Sequence, residues 1–475
     1  MSDPRRRGPI LGLALVLAAG AAPARAEDLQ EAWRIALAVD QQLQASRRQS
    51  IAAGWDLSAS RAQALPRITT ANVPAFLTSP VLPSVGTAGT GTAHGGASGS
   101  PVVGSDQRNF FISTTAVIQP LYTGGRYRNT NEANRARVNA ARADEARTAL
   151  DLLLDVAGAY VGVLRANRDL EVARTNVANL ASQARDVANL VREGRSVRND
   201  LLSTQVALAN ARQNEVRARN ALDNAQAAYN RLLARPLDLV VPLADMAPPP
   251  PTEGQAEALV ADVAERPTDL AIRDEGEVRA LIDRALRARP ELAGLSEQAR
   301  ALAFQAVAER AATKPQAAFT VANIYQNSQA IPTQDFGAAA FIVSWTPFDG
   351  GVARRRSMAL KERECALRHE HADLASRVAL QVRQSWLAVQ ETRRRVEVTR
   401  AAVVQSEENL RVTRNRYLQQ RAINTEVLDA ESLRVQSYNN YFGAAYDAVL
   451  ADVRLRHDAG DLLRIVPLSA PPARH

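Results

Sequence analysis

A single cysteine, Cys365, rules out an intrachain disulfide. Only 5% of residues are aromatic although 46% are hydrophobic, so the chain lacks the bulky side chains of a thick globular core. No apolar run reaches about 18 residues, the length a helical membrane span requires. There is no P-loop, nucleophile elbow or pair of catalytic carboxylates, so the sequence points to no enzyme and implies no cofactor. Charge excludes another class. Of the net +8, Arg5, Arg6, Arg7 and Arg25 less Asp3 supply +3 ahead of Glu27, and the remaining +5 is spread along helices, which does not argue for nucleic acid.

What the chain has in quantity is alanine and arginine, both good helix formers, and this composition suits long, thin, surface-rich helices. From Leu152 to Val191 apolar residues recur at alternating steps of four and three: Leu152, Val156, Ala159, Val163, Ala166, Leu170, Ala173, Val177, Leu180, Ala184, Val187, Val191. That seam predicts helices packed side by side as in a coiled coil. The stretch returns in the second half of the chain at one constant offset, without a gap: Gly124-Gly125 falls on Gly350-Gly351, Val156 on Val382, and Glu171-Val172-x-Arg174 on Glu397-Val398-x-Arg400. The chain is an internal duplication.

In order, residues 1–26 read as a secretory leader, with a basic start, an apolar run from Ile10 to Ala22 and Ala24-Arg25-Ala26 before Glu27. Residues 27–64 form the first-repeat helix, ended by Pro66, and 280–314 its weaker copy, ended by Pro315. After each proline the period changes to two, which predicts strand pairs within 65–122 (Leu65 to Leu77, Asn109 to Leu121) and 315–349 (Gln316 to Gln326, Phe336 to Phe348). The first pair is joined by a Gly/Ser/Thr/Pro-rich loop, Thr78 to Gln107, and the second by a short one, Asn327 to Asp335. Gly86-x-x-Gly89-x-Gly91 in the long loop cradles no phosphate, since no helix follows.

Long helical hairpins occupy 123–234 and 350–462, turning near Glu193 to Asn199 and Gln419 to Thr425. Arg126 to Arg192 spans about 100 Å at 1.5 Å per residue if unbroken. The connection 235–279, with five prolines between Val241 and Thr252, packs outside the helices, and 463–475 reads as a tail. Cys365 and His369 stand one turn apart with His371 close by, but zinc takes three or four ligands and the pair reads as a solvated helix face, so no metal site is assigned. Phe110, Phe111, Trp345 and Phe348, at or near strand ends, read as the aromatic girdle of a membrane barrel.

A leader, helix, strand pair and long hairpin, the last three all repeated, resemble the TolC-like outer-membrane efflux proteins. Ala218-Arg219-Asn220-Ala221-Leu222-Asp223-Asn224-Ala225 closely resembles that family's return helix. Gly194 followed by Asp200 resembles its first hairpin tip, and Tyr417 with Glu426-Val427-Leu428-Asp429-Ala430 its second. The resemblance covers nearly the whole chain after the leader. It implies a mainly α fold with a membrane β-barrel part: a homotrimer whose strands close a twelve-stranded barrel continuing into an α-helical periplasmic tunnel. It also implies an exit duct for drugs, other small molecules or proteins, seated in outer-membrane lipid and served by a periplasmic adaptor and an inner-membrane pump of RND or ABC type.

By the same resemblance Asp200, Tyr417, Arg421, Glu426 and Asp429 form a periplasmic gate. Gly194, Arg195, Ser196, Val197, Gln420, Ala422, Ile423 and Asn424 form the tips on which the adaptor docks. The second tip departs from the family, since Gln420-Arg421-Ala422-Ile423 lacks the usual glycine and Arg421 sits one position early. The alternative is a trimeric coiled-coil stalk or adhesin of the envelope, which would need neither duplicated strand pairs nor acids beside the hairpin tips.

Overall fold

The computed structural model describes residues 26–76, 109–248, 275–327 and 335–465. The expected leader up to residue 25, the loop 78–107, part of the connection (249–274), most of the short second loop (328–334) and the tail from 466 lie outside the described residues.

The first repeat runs α1 (Leu29–Val39), α2 (Gln41–Ala62), β1 (Arg67–Phe76), β2 (Asn109–Tyr122), α3 (Arg126–Arg192) and α4 (Arg198–Leu232). The second runs α5 (Glu275–Ala288), α6 (Pro290–Arg310), β3 (Gln316–Gln326), β4 (Asp335–Ser344), α7 (Val352–Leu418) and α8 (Asn424–Asp458), with a last turn, α9 (Leu462–Ile465). The offset that places Gly124 on Gly350 carries both ends of α3 onto those of α7 and both ends of α4 onto those of α8. Each long helix has 67 residues and each return helix 35.

Each expected first helix is in fact a pair. Asp40 leaves the helical conformation and its carboxylate accepts the Leu43 N–H at 2.8 Å, which ends α1 and caps α2. In the second repeat Pro290, having no N–H to continue a helix, opens α6 while Arg289 stays extended. When Leu43 is aligned with Leu292, Asp40 falls on Arg289, so the breaks coincide although the chemistry differs. Arg289 is buried, pairing with Glu291 at 2.6 Å and Asp458 at 3.6 Å. Beside it buried His457 links α8 to α3, with Nδ1 2.9 Å from Asp458 Oδ1 and Nε2 3.2 Å from Asp151 Oδ1.

The four strands make one antiparallel sheet in the order β1-β2-β3-β4, so its central pairing, β2 with β3, joins the two repeats. Side chains on this sheet are largely exposed in the single chain, among them Ile68, Phe319, Phe341 and Val343. β4 ends at Ser344, short of the expected Phe348, because its partner there, Gln316, is the first residue of β3 and the residue before it, Pro315, has no N–H to extend the ladder. Trp345 therefore lies beyond the strand, where its indole donates to the Thr313 carbonyl at 3.1 Å.

Both strand-to-helix turns place two successive residues in the left-handed region: Gly124 and Gly125 at φ of 63° and 88°, Gly350 and Gly351 at 68° and 80°. At Gly124 a Cβ would also stand 2.7 Å from that of Lys314, so only glycine fits.

The main core gathers midway along the hairpins, where Trp33, Leu153, Val156, Tyr160, Tyr229, Tyr441 and Tyr446 are buried together. The described part of the connection packs there. Glu27 bridges Leu243, and its buried carboxylate accepts from the Tyr229 hydroxyl and from Arg235, both at 2.8 Å.

Candidate functional site at the hairpin tips

α3 and α7 end in turns of one geometry. Arg195 N–H reaches back to the Leu190 carbonyl and Arg421 N–H to that of Arg416, each at 2.8 Å. The residue that must turn left-handed is Gly194 in the first tip (φ 73°) and Gln420 in the second (φ 61°). The missing glycine therefore does not change the turn; glutamine adopts its conformation, and the Gln420 amide donates across to the Arg195 carbonyl at 3.4 Å. α4 and α8 then begin after Val197 and Ile423, each in the N-cap position and neither able to cap by a side-chain hydrogen bond.

Behind the turns the hairpins are held by a small apolar cluster of Val187, Tyr417 and Val427, with Leu190, Leu201 and Leu410 against it. Polar contacts thread through it. Ser196 Oγ donates to Asp200 Oδ2 at 2.8 Å and lies 3.4 Å from the Tyr417 hydroxyl, with which it shares a hydrogen bond. Burial pushes the Tyr417 hydroxyl pKa up; the Ser196 bond partly offsets this and the nearby Asp200 charge adds to it, so the phenol stays neutral.

Asn424 makes the densest set of contacts. It is fully buried, and its amide nitrogen lies 2.9 Å from Thr204 Oγ1 and 3.2 Å from both Ser203 Oγ and the Asp200 carbonyl, while its oxygen accepts from Gln183 at 3.3 Å. Expected on the docking surface, it is instead internal. A hydrophobic neighbourhood and an N1 position give no warning of this, and only the fold of the other hairpin creates the pocket.

Two further cross-links follow the same interface. Arg414 pairs with Asp186 at 2.9 Å, and farther from the tip Glu431 accepts from Asn179 at 3.0 Å and from buried Arg434 at 2.9 Å. Neither Arg434 nor Glu431 was singled out from the sequence. Their spacing of three on one helix face is a visible signal.

Of the five expected gate residues, Asp200 and Tyr417 thus come together through Ser196. Arg421, Glu426 and Asp429 are exposed, and within the described residues of one chain their side chains make no hydrogen bond or ion pair. Gly194, Arg195, Val197, Gln420 and Ile423 are exposed at the tips, with Ser196 and Ala422 half-buried.

Residues 77–235 match the outer membrane efflux protein family. The alkaline protease secretion protein AprF of Pseudomonas aeruginosa is 24% identical over 361 residues, 74% of this chain and 70% of AprF. Among solved structures, VceC of Vibrio cholerae superposes with a TM-score of 0.70 at 15% identity, covering 91% of this chain and 96% of that one. The outer-membrane channel OprN gives 0.70 at 17% identity, with 91% and 90% covered. Residues 77–235 thus carry a match to the outer membrane efflux proteins, and the likeness of fold to VceC and OprN covers 91% of the chain. The hairpin ends are the points farthest along the helices from the sheet. The Ser196, Asp200, Tyr417 and Asn424 contacts therefore tie the two hairpins together at those ends.

Proposed function

We propose that the chain is an export channel of the Gram-negative outer membrane, with its long helices in the periplasm, and works as a homotrimer in which three four-stranded sheets close one twelve-stranded barrel and six hairpins form the tunnel below it, its inner mouth at the hairpin ends. The observation that carries this reading is the open sheet. β1 and β4 are edge strands, and unpaired N–H and C=O groups cost several kcal/mol each in hydrocarbon, so closure has to come from other copies. The outward apolar residues of the strands face lipid, and Phe111, Trp345 and Phe348 belong to the interfacial girdle.

The tunnel conducts cargo delivered by an inner-membrane pump of RND or ABC type through a periplasmic adaptor whose helical hairpins dock on the exposed tips. Asp200, Tyr417 and Arg421 hold the mouth narrow, and Glu426 and Asp429 of three copies place six carboxylates around it. Drugs, other small molecules and secreted proteins are the cargo classes such a duct serves. Native mass measurement in mild detergent tests the assembly: three chains are expected, and a folded monomer would overturn it.

A further inference from the structure

Antiparallel pairing brings the four junctions between strands and helices to one end of the sheet: α2 to β1, β2 to α3, α6 to β3 and β4 to α7. Each junction touches the next. The Gln119 amide donates to the Ala64 carbonyl at 3.0 Å, Gly124 lies against Lys314, and the Trp345 indole donates to the Thr313 carbonyl at 3.1 Å.

Charge changes abruptly across this end. The four strands hold only two charged residues, Arg67 at the helical end and Asp335 at the far one. In the junctions, 61–67, 122–130, 310–316 and 345–358, nine cations stand against one acid. That acid, Asp349, is already occupied, its carboxylate accepting from the backbone N–H groups of Gly351 and Ala353 at 2.9 and 2.7 Å. Arg61 and Arg310 suit the C-terminal turns they occupy. Arg126 and Arg128 at the start of α3, and Arg354, Arg355 and Arg356 at that of α7, do not, since a helix start is already positive and neither first turn holds an acid. All nine cations are exposed, and none makes an ion pair within the described residues of one chain. Beside them Leu65, Leu121, Tyr122, Trp345 and Phe348 are each more than half exposed.

We propose that this basic collar holds the headgroups of anionic phospholipids in the leaflet facing the periplasm. The exposed apolar side chains enter the acyl boundary, and the guanidinium groups, on long apolar stems, reach the phosphodiesters just beyond it. Each guanidinium can give two parallel hydrogen bonds to one phosphate. Charge selects the lipid, because a zwitterionic headgroup brings its own cation to the collar and an anionic one does not. A ring of cations at one level, bounded by an apolar band on the strand side, fits a layer of anions rather than a folded partner. The inference rests on the membrane placement proposed above and adds the lipid class that the protein selects there.

Native mass measurement in mild detergent, with phosphatidylglycerol and phosphatidylcholine of identical acyl chains added in equal amounts, tests the collar. The parent should retain phosphatidylglycerol in preference, and raising salt should weaken that preference. Arg354→Gln, Arg355→Gln and Arg356→Gln together should cut it roughly fivefold or more, and Arg126→Gln with Arg128→Gln, in the other repeat, should act in the same direction. Arg185→Gln, Arg192→Gln and Arg198→Gln remove the same charge at the far end of the first hairpin and should leave it unchanged. At equal ionic strength inorganic phosphate should displace no more lipid than chloride does; stronger displacement would make the collar a free-anion site and overturn the inference. If the parent floats with vesicles of either lipid but shows no headgroup preference, or the collar and hairpin-end variants lose it equally, the collar is not a lipid site and the membrane placement stands. If the parent floats with neither, the membrane placement itself fails. A collar variant that keeps the lipid preference but changes anion conductance would put the guanidinium groups in the lumen and also overturn the inference.

Discussion

Removing the Asn424 amide would take from the buried Gln183 amide its acceptor and from the buried Thr204 hydroxyl one of its contacts, while Thr204 and Ser203 still donate to the Asp200 carbonyl. An unmet buried polar group costs about 1–3 kcal/mol, so Asn424→Ala should raise local opening of the tip roughly 5- to 150-fold. Hydrogen exchange at the first turns of α4 and α8 would report it; protection equal to the parent's would show that the network contributes nothing. His457 makes a different case. Burial alone would lower its pKa, but bonds to the Asp151 and Asp458 carboxylates prevail and push it up to about 9 from 6.5. A folded-state pKa above the unfolded one means that its stabilisation is whole below about pH 6.5 and is lost as pH rises toward 9. The stability difference between the parent and His457→Gln should therefore shrink between pH 6.5 and 9.5 in thermal unfolding. A difference independent of pH would mean that the imidazole is not charged in the folded protein.

At the scale of elements, the N-caps of α4 and α8 stand out because Val197 and Ile423 are poor capping residues and are 62% and 64% exposed. Serine at both should stabilise the tips by about 0.5–2 kcal/mol per cap, seen as slower exchange of the first helical amides, while adaptor capture weakens. Stabler tips with undiminished capture would remove these two side chains from the docking surface. The long helices were readable in advance because their heptad stripe, paired glycines and gapless repeat are local signals that agree with one another. The breaks at Asp40 and Arg289 were not, since a capping aspartate and an N1 proline inside an apolar stripe compete with a pattern that itself continues. The tip turn was readable from Gly194 but not from Gln420, whose left-handed backbone is imposed by the duplicated scaffold. The burial of Asn424 depends on Thr204 and Gln183 of the other hairpin, remote in the sequence, and no local pattern encodes that meeting.

For the whole molecule, the proposed channel has its inner mouth at the hairpin ends, and the two hairpins contribute unequally to the contacts there. Asp200 and Tyr417 are tied to one another through Ser196, whereas Arg421, Glu426 and Asp429 stay exposed and unpaired within the described residues of a single chain. Exposed pairs are individually worth about 0–1 kcal/mol, so a closed mouth needs several contacts together and an adaptor can undo them. Tyr417→Phe with Arg421→Ala keeps the apolar packing of the ring but removes the hydroxyl and the charge, and should raise single-channel conductance in planar bilayers. Glu426 and Asp429, three residues apart, share one helix face, and a ring of six such carboxylates favours cations as charged rings in pores do. Glu426→Ala with Asp429→Ala should therefore lower cation preference and relieve block by multivalent cations, with little change in helix stability because both side chains are solvated. The two experiments separate width from charge: the first should move conductance with selectivity nearly constant, and the second selectivity with stability constant. If both double variants conduct and select like the parent, the constriction lies elsewhere along the tunnel and these residues do not form it.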